Sequence, residues 1–253
     1  MNERWKALYY GQEIRFPIIG AVLEDQAEGK VYYDSESNPN HIFVVSEFGF
    51  CQEIFRVYDS GLFDEIKGVV ESDRRKKMRW YDPCPSVKKF LDSKRYARKA
   101  KRRRYVMDNE SLLKTESSGS CIIRPMGEGD LKKEDFGLDL SSRYYRNGHD
   151  LIQNAMPLLA CDNNDNQMGI IYSAGNDRNM CEVDILVKES YRKQGIAAEL
   201  VKAFTDQCRR NHKTAVWDCY ANLTASCRLA EKSGFILMKE YDFYNIELPE
   251  VSG

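Results

Sequence analysis

The apolar positions of this chain change period along its length. In the second half they form short runs rich in β-branched and apolar residues. Cys121–Met126 (CIIRPM), Pro157–Cys161 (PLLAC), Gln167–Ala174 (QMGIIYSA), Cys181–Val187 (CEVDILV) and Ala215–Tyr220 (AVWDCY) predict strands. The polar NNDN between the second and third runs predicts a hairpin turn. GEGDLKKEDF turns towards a helix. From Ile196 to about Asn211 the period becomes helical, with Ile196, Leu200, Ala203, Phe204 and Cys208 on one face. A further helix over Asn222–Lys232 stops at Gly234, and DFYNIEL (Asp242–Leu248) closes as a strand. The expected order is strand, helices, three strands, helix, strand, helix, strand.

The first half is less regular. KVYYDS (Lys30–Ser35) and HIFVVSEFGF (His41–Phe50) predict strands around the turn SNPN. Phe63, Ile66, Val69 and Val70 share a helical face. Val87, Phe90, Leu91 and Tyr96 give VKKFLDSKRYARKAKRRRYV helical spacing as well. ESSGS, Glu116–Ser120, reads as a joint. The expected organisation is an N-terminal α+β domain over residues 1–116 and a second domain over 121–253.

Composition narrows the class. With 42% hydrophobic and 30% charged residues, the 253-residue chain is apolar enough to bury a core. Its longest apolar stretch, Phe16–Leu23, falls far short of the roughly 20 residues a membrane span needs. MNERWKALYY does not read as a secretory leader, so a cytoplasmic protein without a membrane partner is expected. Eight cysteines without a CxxC pair, and three histidines, predict no metal site. Charge is uneven. Between Arg74 and Arg104 lie 15 basic and two acidic residues, which leaves the remainder strongly acidic. A basic helix face, solvated or docked on acidic surface, is the preferred reading. Phosphate or nucleic-acid binding is the alternative, weakened because no regularly interleaved aromatics are present to stack bases.

Candidate chemistry centres on the turn after Cys181–Val187. There KESYRKQGIA passes directly from strand to helix. A helix N-terminus carries about half a positive charge and free N–H groups, and Gly195 lets the backbone approach an anion. Arg192 and Lys193 add cationic side chains. No G-x-x-x-x-G-K-[ST] occurs, and Gly127-Glu128-Gly129 lacks the third glycine of a dinucleotide fingerprint.

The string Arg192-Lys193-Gln194-Gly195-Ile196-Ala197 resembles the acetyl-CoA-binding motif of the GCN5-related N-acetyltransferases, the GNAT family. IIRPM, PLLACDNNDNQMGIIYSA, WDCYANLTASCRLAEKSGF and DFYNIEL are similar to that family's other blocks, in the same order, over residues 121–248. The WD, the string Ser226–Lys232 and the Tyr-rich last strand look most like a bacterial subgroup that includes the acetyltransferase giving self-resistance to zwittermicin A. The resemblance implies a mixed, splayed sheet flanked by helices. It implies acetyl-CoA as co-substrate and a primary amine, more readily a small molecule's than a protein lysine's, as acceptor. Pyrophosphate would sit on Gln194, Gly195, Ile196 and Ala197, beside Arg192 and Lys193. Pantetheine would pair along Ile185, Leu186 and Val187. Asn222 and Ser226 are the remaining positions assigned to the cofactor. Asn222 is one residue out of the family's register and could simply cap its helix, and Ser226 could equally be a packed small residue.

Within that fold, strand alternation places Glu182, Asp184 and Leu186 on one face of CEVDILV. The two carboxylates are candidates for base and amine anchor. The family's usual tyrosine acid falls on Ala230 here. Tyr220, Tyr241 and Tyr244 are the substitutes, with Tyr220 taken as the site residue, or the thiolate takes its proton from water. A covalent route through Cys181, Cys219 or Cys227 lacks a histidine nearby in sequence. Two rival readings stand beside transfer: a CoA-binding module without catalysis, and association with nucleic acid through residues 74–104.

Overall fold

The computed structural model describes residues 2–72, 77–108, 121–133, 136–140 and 143–247. In chain order the first half contains α1 (Glu3–Tyr10), α2 (Pro17–Leu23), β1 (Gly29–Tyr33), β2 (His41–Ser46), β3 (Phe50–Phe55), α3 (Ser60–Ser72), β4 (Met78–Tyr81), α4 (Pro85–Asp92) and β5 (Ala97–Met107). The second half contains β6 (Ile122–Pro125), α5 (Glu128–Lys133), α6 (Gly148–Asn154), β7 (Leu158–Cys161), β8 (Gln167–Asn176) and β9 (Met180–Val187). It continues with α7 (Ile196–Arg210), β10 (Thr214–Tyr220), α8 (Thr224–Lys232) and β11 (Phe235–Ile246).

The chain groups into two compact units, residues 1–102 with 241–253 and residues 103–240. The division falls inside strands β5 and β11. The expected joint at Glu116–Ser120 lies outside the described residues. The last strand's second half groups with the N-terminal residues, since Phe243–Ile246 pair with Met78–Tyr81.

In the first unit β1, β2 and β3 pair antiparallel in sequence, and β3 runs parallel to β4. HIFVVSEFGF is thus all of β2, a turn and the first residue of β3, rather than one continuous strand. The turn is closed by the Gly49 N–H on the Ser46 carbonyl at 2.8 Å. The apolar stretch at Pro17–Leu23 is helix α2, with Pro17 in its first turn and every residue buried.

The basic segment differs from expectation. Helix α4 ends at Asp92, and Ala97–Met107 is a strand, not a continuing helix. Past Ser93 the charges follow period 2. Lys99 and Lys101 reach Asp242 at 3.3 and 2.8 Å, joined by Lys88 at 3.1 Å. Burial alone would raise the Asp242 carboxyl, but these three lysines hold it at about 2. A counter-charge on β11, remote in sequence, gives these three lysines an acidic partner within the chain.

In the second unit the strand order is β11-β5-β10-β9-β8-β7-β6. The β6-β7-β8-β9 run is antiparallel and β9 runs parallel to β10. Helix α7 connects that parallel pair. It buries Ile196, Leu200, Val201 and Phe204 against Val183, Ala215 and Trp217. Each such side chain contributes about 1.5–3 kcal/mol when fully buried. A second core of Met126, Leu140, Leu151, Ile170 and Tyr172 includes residues of α6, β7 and β8. Strand β11 begins at Phe235, earlier than expected, because Ile236, Leu237 and Met238 are exposed and lack a strand-like burial alternation.

Candidate active site

The site is built around the strand whose alternation the sequence shows. Val183 lies buried in the α7 core, with Ile185 and Val187 packed against that core, while Leu186 packs on the opposite one. Along its other edge β9 pairs with β8 from Cys181↔Asn176 to Val187↔Gly169. Towards β10 the parallel ladder covers only Met180–Val183 against Thr214–Trp217. Both strands run on, to Val187 and Tyr220, without further pairing. The sheet therefore opens at Asp184 and Asp218, and the backbone of Ile185–Val187 faces that opening. A β-bulge in β8, between Ser173 and Gly175, adds local twist there.

Beyond Val187 a 3₁₀ turn, Glu189–Tyr191, leads to Lys193 at φ 63° and Gly195 at φ 85°, the residue that caps α7. The left-handed backbone at Gly195 is glycine's natural conformation. No side chain caps the helix. The Ala198 amide bonds back to the Gly195 carbonyl at 2.9 Å, while the amides of Ile196 and Ala197 have no partner within the helix and sit at the positive end of a 15-residue dipole. A backbone turn of this kind can accept an anion such as a pyrophosphate. Residues 192–195 are exposed and Ile196 is buried. Not every side chain is as expected. Arg192 Nε donates to the Val187 carbonyl at 3.2 Å, and Gln194 Nε2 turns back to the Ser190 carbonyl at 3.3 Å.

The two expected carboxylates part company. Glu182 is 5% exposed. It lies 3.8 Å from Nη2 of Arg104, whose Nε is 2.8 Å from Asp218. Arg104 comes from β5, is 1% exposed, and is shared between carboxylates on two further strands, β9 and β10. Removing it would strand buried charge, at a cost of about 3–5 kcal/mol. Asp184, by contrast, keeps 26% of its side chain exposed. It accepts the Tyr172 hydroxyl at 2.9 Å and lies 3.6 Å from Arg143 Nε. Burial, then the Asp184 charge, pushes the Tyr172 phenol well up, so it remains a proton donor to that carboxylate. The Arg143 guanidinium lies 5.1 Å from the Tyr144 ring centroid. Burial, then the Asp184 charge, raises the Tyr144 phenol to about 12.

At the other side of the opening, Tyr220 is half-buried at the end of β10. The alternatives to it are engaged in the first unit. Tyr241 is buried against Phe16, and Tyr244 donates to Asp92 at 2.6 Å. Ala230 is fully buried in a cluster with Tyr105, whose hydroxyl donates to Glu231 at 3.0 Å. Ser226 accepts the Trp217 indole N–H at 3.0 Å. Asn222 is exposed, and α8 begins at Thr224 without a side-chain cap, so the capping role is not observed. Cys219 and Cys227 have sulfurs 3.6 Å apart. Burial pushes the Cys219 thiol up to about 12, which disfavours a nucleophilic thiolate.

Sequence reasoning missed Arg104, Arg143, Tyr144 and Tyr172. Tyr172 was within reach, because the β8–β9 hairpin sets it directly opposite Asp184. Among the described residues no His/Cys/Asp/Glu cluster could hold a metal, and no helix is long and apolar enough to cross a membrane.

The sequence profile of the GNAT acetyltransferases matches residues 10–244. No curated protein matches the chain in sequence. Among solved structures, a GCN5-related N-acetyltransferase-like protein from Streptococcus suis is similar with a TM-score of 0.72 and 17% identity, covering 97% of this chain and 98% of that one. A tandem GNAT protein from the clavulanic acid biosynthesis pathway has a TM-score of 0.65 at 10% identity, with 98% and 95% covered. A GCN5-related N-acetyltransferase from Kribbella flavida has a TM-score of 0.63 at 11% identity, with 92% and 95% covered.

Proposed function

Because the chain belongs to the GNAT acetyltransferase family, whose members carry out acyl-CoA-dependent acetyl transfer, we propose that it moves an acetyl group from acetyl-CoA to a primary amine of a small molecule. The observation that carries this reading is the β9–β10 ladder. It ends at Val183–Trp217, with a half-exposed carboxylate at the opening and the Gly195 cradle beyond. The amides of Gln194–Ala197 would hold the pyrophosphate, with Lys193 and the outer nitrogens of Arg192 beside it. The backbone of Ile185–Val187 would pair with pantetheine. When bound, acetyl-CoA supplies an activated thioester carbonyl for an amine to attack.

An alkyl ammonium with a pKa near ~10 must lose a proton before it can attack. Asp184 takes that proton, directly or through water, because it is the reachable carboxylate. Glu182, held by Arg104, shapes the field at the opening and does not act as base. Tyr220 ends the strand on the far side of the opening and returns a proton to the departing thiolate. The WD and the Ser226–Lys232 string support placing the chain with the bacterial zwittermicin-type subgroup. We retain residues 121–253 as the region of transfer chemistry. The absent tyrosine at Ala230 favours one alternative, a CoA-binding module without turnover, which predicts no amine-dependent thiol release.

The test is calorimetric titration of acetyl-CoA into wild type and Gly195→Trp. Binding to wild type that is lost in a variant with unchanged circular dichroism supports the cradle. Absence of wild-type binding removes the reading.

A further inference from the structure

Arg143 stacks 5.1 Å from the Tyr144 ring centroid and makes only a loose ion pair with Asp184. Asp184 is already hydrogen-bonded by Tyr172, and the Arg143 Nε is 3.6 Å from it, beyond a good hydrogen bond. Among the described residues, Asp184 is the one carboxylate within 4 Å of this guanidinium. Its side chain is 34% exposed beside the 26% of Asp184, so both charges meet solvent, and Asp184 lies one residue past the last β9–β10 pair. The Tyr144 and Tyr172 rings, with centroids 6.3 Å apart, flank the pair.

An arginine fork recognises carboxylate in a planar, bidentate manner, and Asp184 recognises ammonium. A protein that sets an anion and a cation 3.6 Å apart presents the complement of a small zwitterion. In a free α-amino acid the amine nitrogen and the nearer carboxylate oxygen are about 3 Å apart, as its bond lengths require. We infer that the acceptor is a free α-amino acid, bound with its carboxylate on Arg143 and its α-ammonium on Asp184. The inference rests on the acetyltransferase reading above and names the class of its acceptor. The bound ammonium first gives one proton to Asp184, which passes it to water, and the neutral α-nitrogen then attacks the thioester carbonyl. The new N–C bond forms, the nitrogen's second proton passes to Asp184, the C–S bond breaks, and the thiolate leaves as CoA thiol with a proton from Tyr220, which water restores.

The experiment compares the L-amino acids with their methyl esters, which keep side chain and amine but lose the carboxylate charge. Acetyl-CoA-dependent thiol release is followed, together with calorimetric binding of each pair to the CoA-saturated protein. The expected result is a preference of about tenfold or more in kcat/KM for a free acid over its ester, with tighter binding of that acid. Arg143→Gln should collapse this ratio through KM, and Arg143→Lys should restore part of it. Esters handled as well as acids, a ratio unmoved in Arg143→Gln, or no binding and turnover of any free acid by a protein that binds acetyl-CoA would each overturn the inference. In those cases the transferase reading stands. Failure to bind acetyl-CoA would instead bring down that reading, and this one with it.

Discussion

Asp184 and Glu182 sit two residues apart on one face of one strand, yet their surroundings give them different tasks. Glu182 shares the buried guanidinium of Arg104 with Asp218, while Asp184 retains solvent contact and a phenol donor. A base must be reachable, so activity should depend on Asp184. Asp184→Asn should lower kcat for amine acetylation by about 10²- to 10⁴-fold at pH 7, the range for a removed general base. Acetyl-CoA affinity should hardly change. The deficit should shrink as pH approaches the amine's own pKa, where the acceptor arrives deprotonated. A thiol-release pH profile of wild type and variant checks this, and a deficit constant to pH 10 would deny Asp184 the role. Alternation alone pairs the two carboxylates. Only the strand order brings Arg104 to one of them.

At the scale of elements, the proposed anion cradle depends on α7 being fixed against β8 and β9. Gly169 marks how closely they approach. A Cβ there would lie 3.0 Å from the Leu186 carbonyl, 3.1 Å from Val187 Cγ2 and 3.2 Å from Leu200 Cδ1. Two of those atoms belong to the strand proposed to pair with pantetheine, and the third to α7. Gly169→Ala should therefore destabilise the fold by about 1–3 kcal/mol, as overpacking does. It should also weaken acetyl-CoA binding although residue 169 is remote from the turn in sequence. Urea unfolding with calorimetry tests both, and unchanged affinity would show that the cradle tolerates a shift of its support. Strand β5 carries the complementary lesson. The helical spacing read across this segment holds only in α4, as far as Leu91, while Lys99, Lys101 and Arg104 take strand geometry in β5, with Asp242 and Asp218 as partners on neighbouring strands.

At the scale of the molecule, the first unit contains its own buried charge, and it should govern how stability follows pH. Glu53 is fully buried and accepts the Trp80 indole N–H and the Cys84 amide. Burial raises its carboxyl from 4.5 to about 7, against those two bonds. The folded protein thus holds this proton more tightly than the unfolded chain. Its contribution to stability is fully present below pH 4.5 and is lost as pH rises through 7. Glu53→Gln cannot ionise and keeps one of two acceptor oxygens. It should be less stable than wild type at pH 5, with the difference narrowing by pH 8. Urea melts followed by tryptophan fluorescence, to which Trp80 contributes, would show it. Parallel pH curves for the two proteins would refute the assignment.

Much of this molecule is written in short stretches. The strand–turn–helix at Cys181–Cys208, the β7–β8 hairpin and the left-handed Gly195 depend on neighbours within a few residues, where period and backbone preference decide the conformation. The family-like order of blocks over residues 121–248 was legible for the same reason. What local pattern could not reveal is which strands lie side by side. That placement puts Arg104 between Glu182 and Asp218, ends the β9–β10 ladder at Val183, and groups residues from Tyr241 onward with the N-terminal unit. Coulomb interaction and hydrogen bonding act over a few ångströms of space. Their partners here are separated by 34 residues of chain (Val183 to Trp217) to 114 (Arg104 to Asp218), a distance that periodicity does not span.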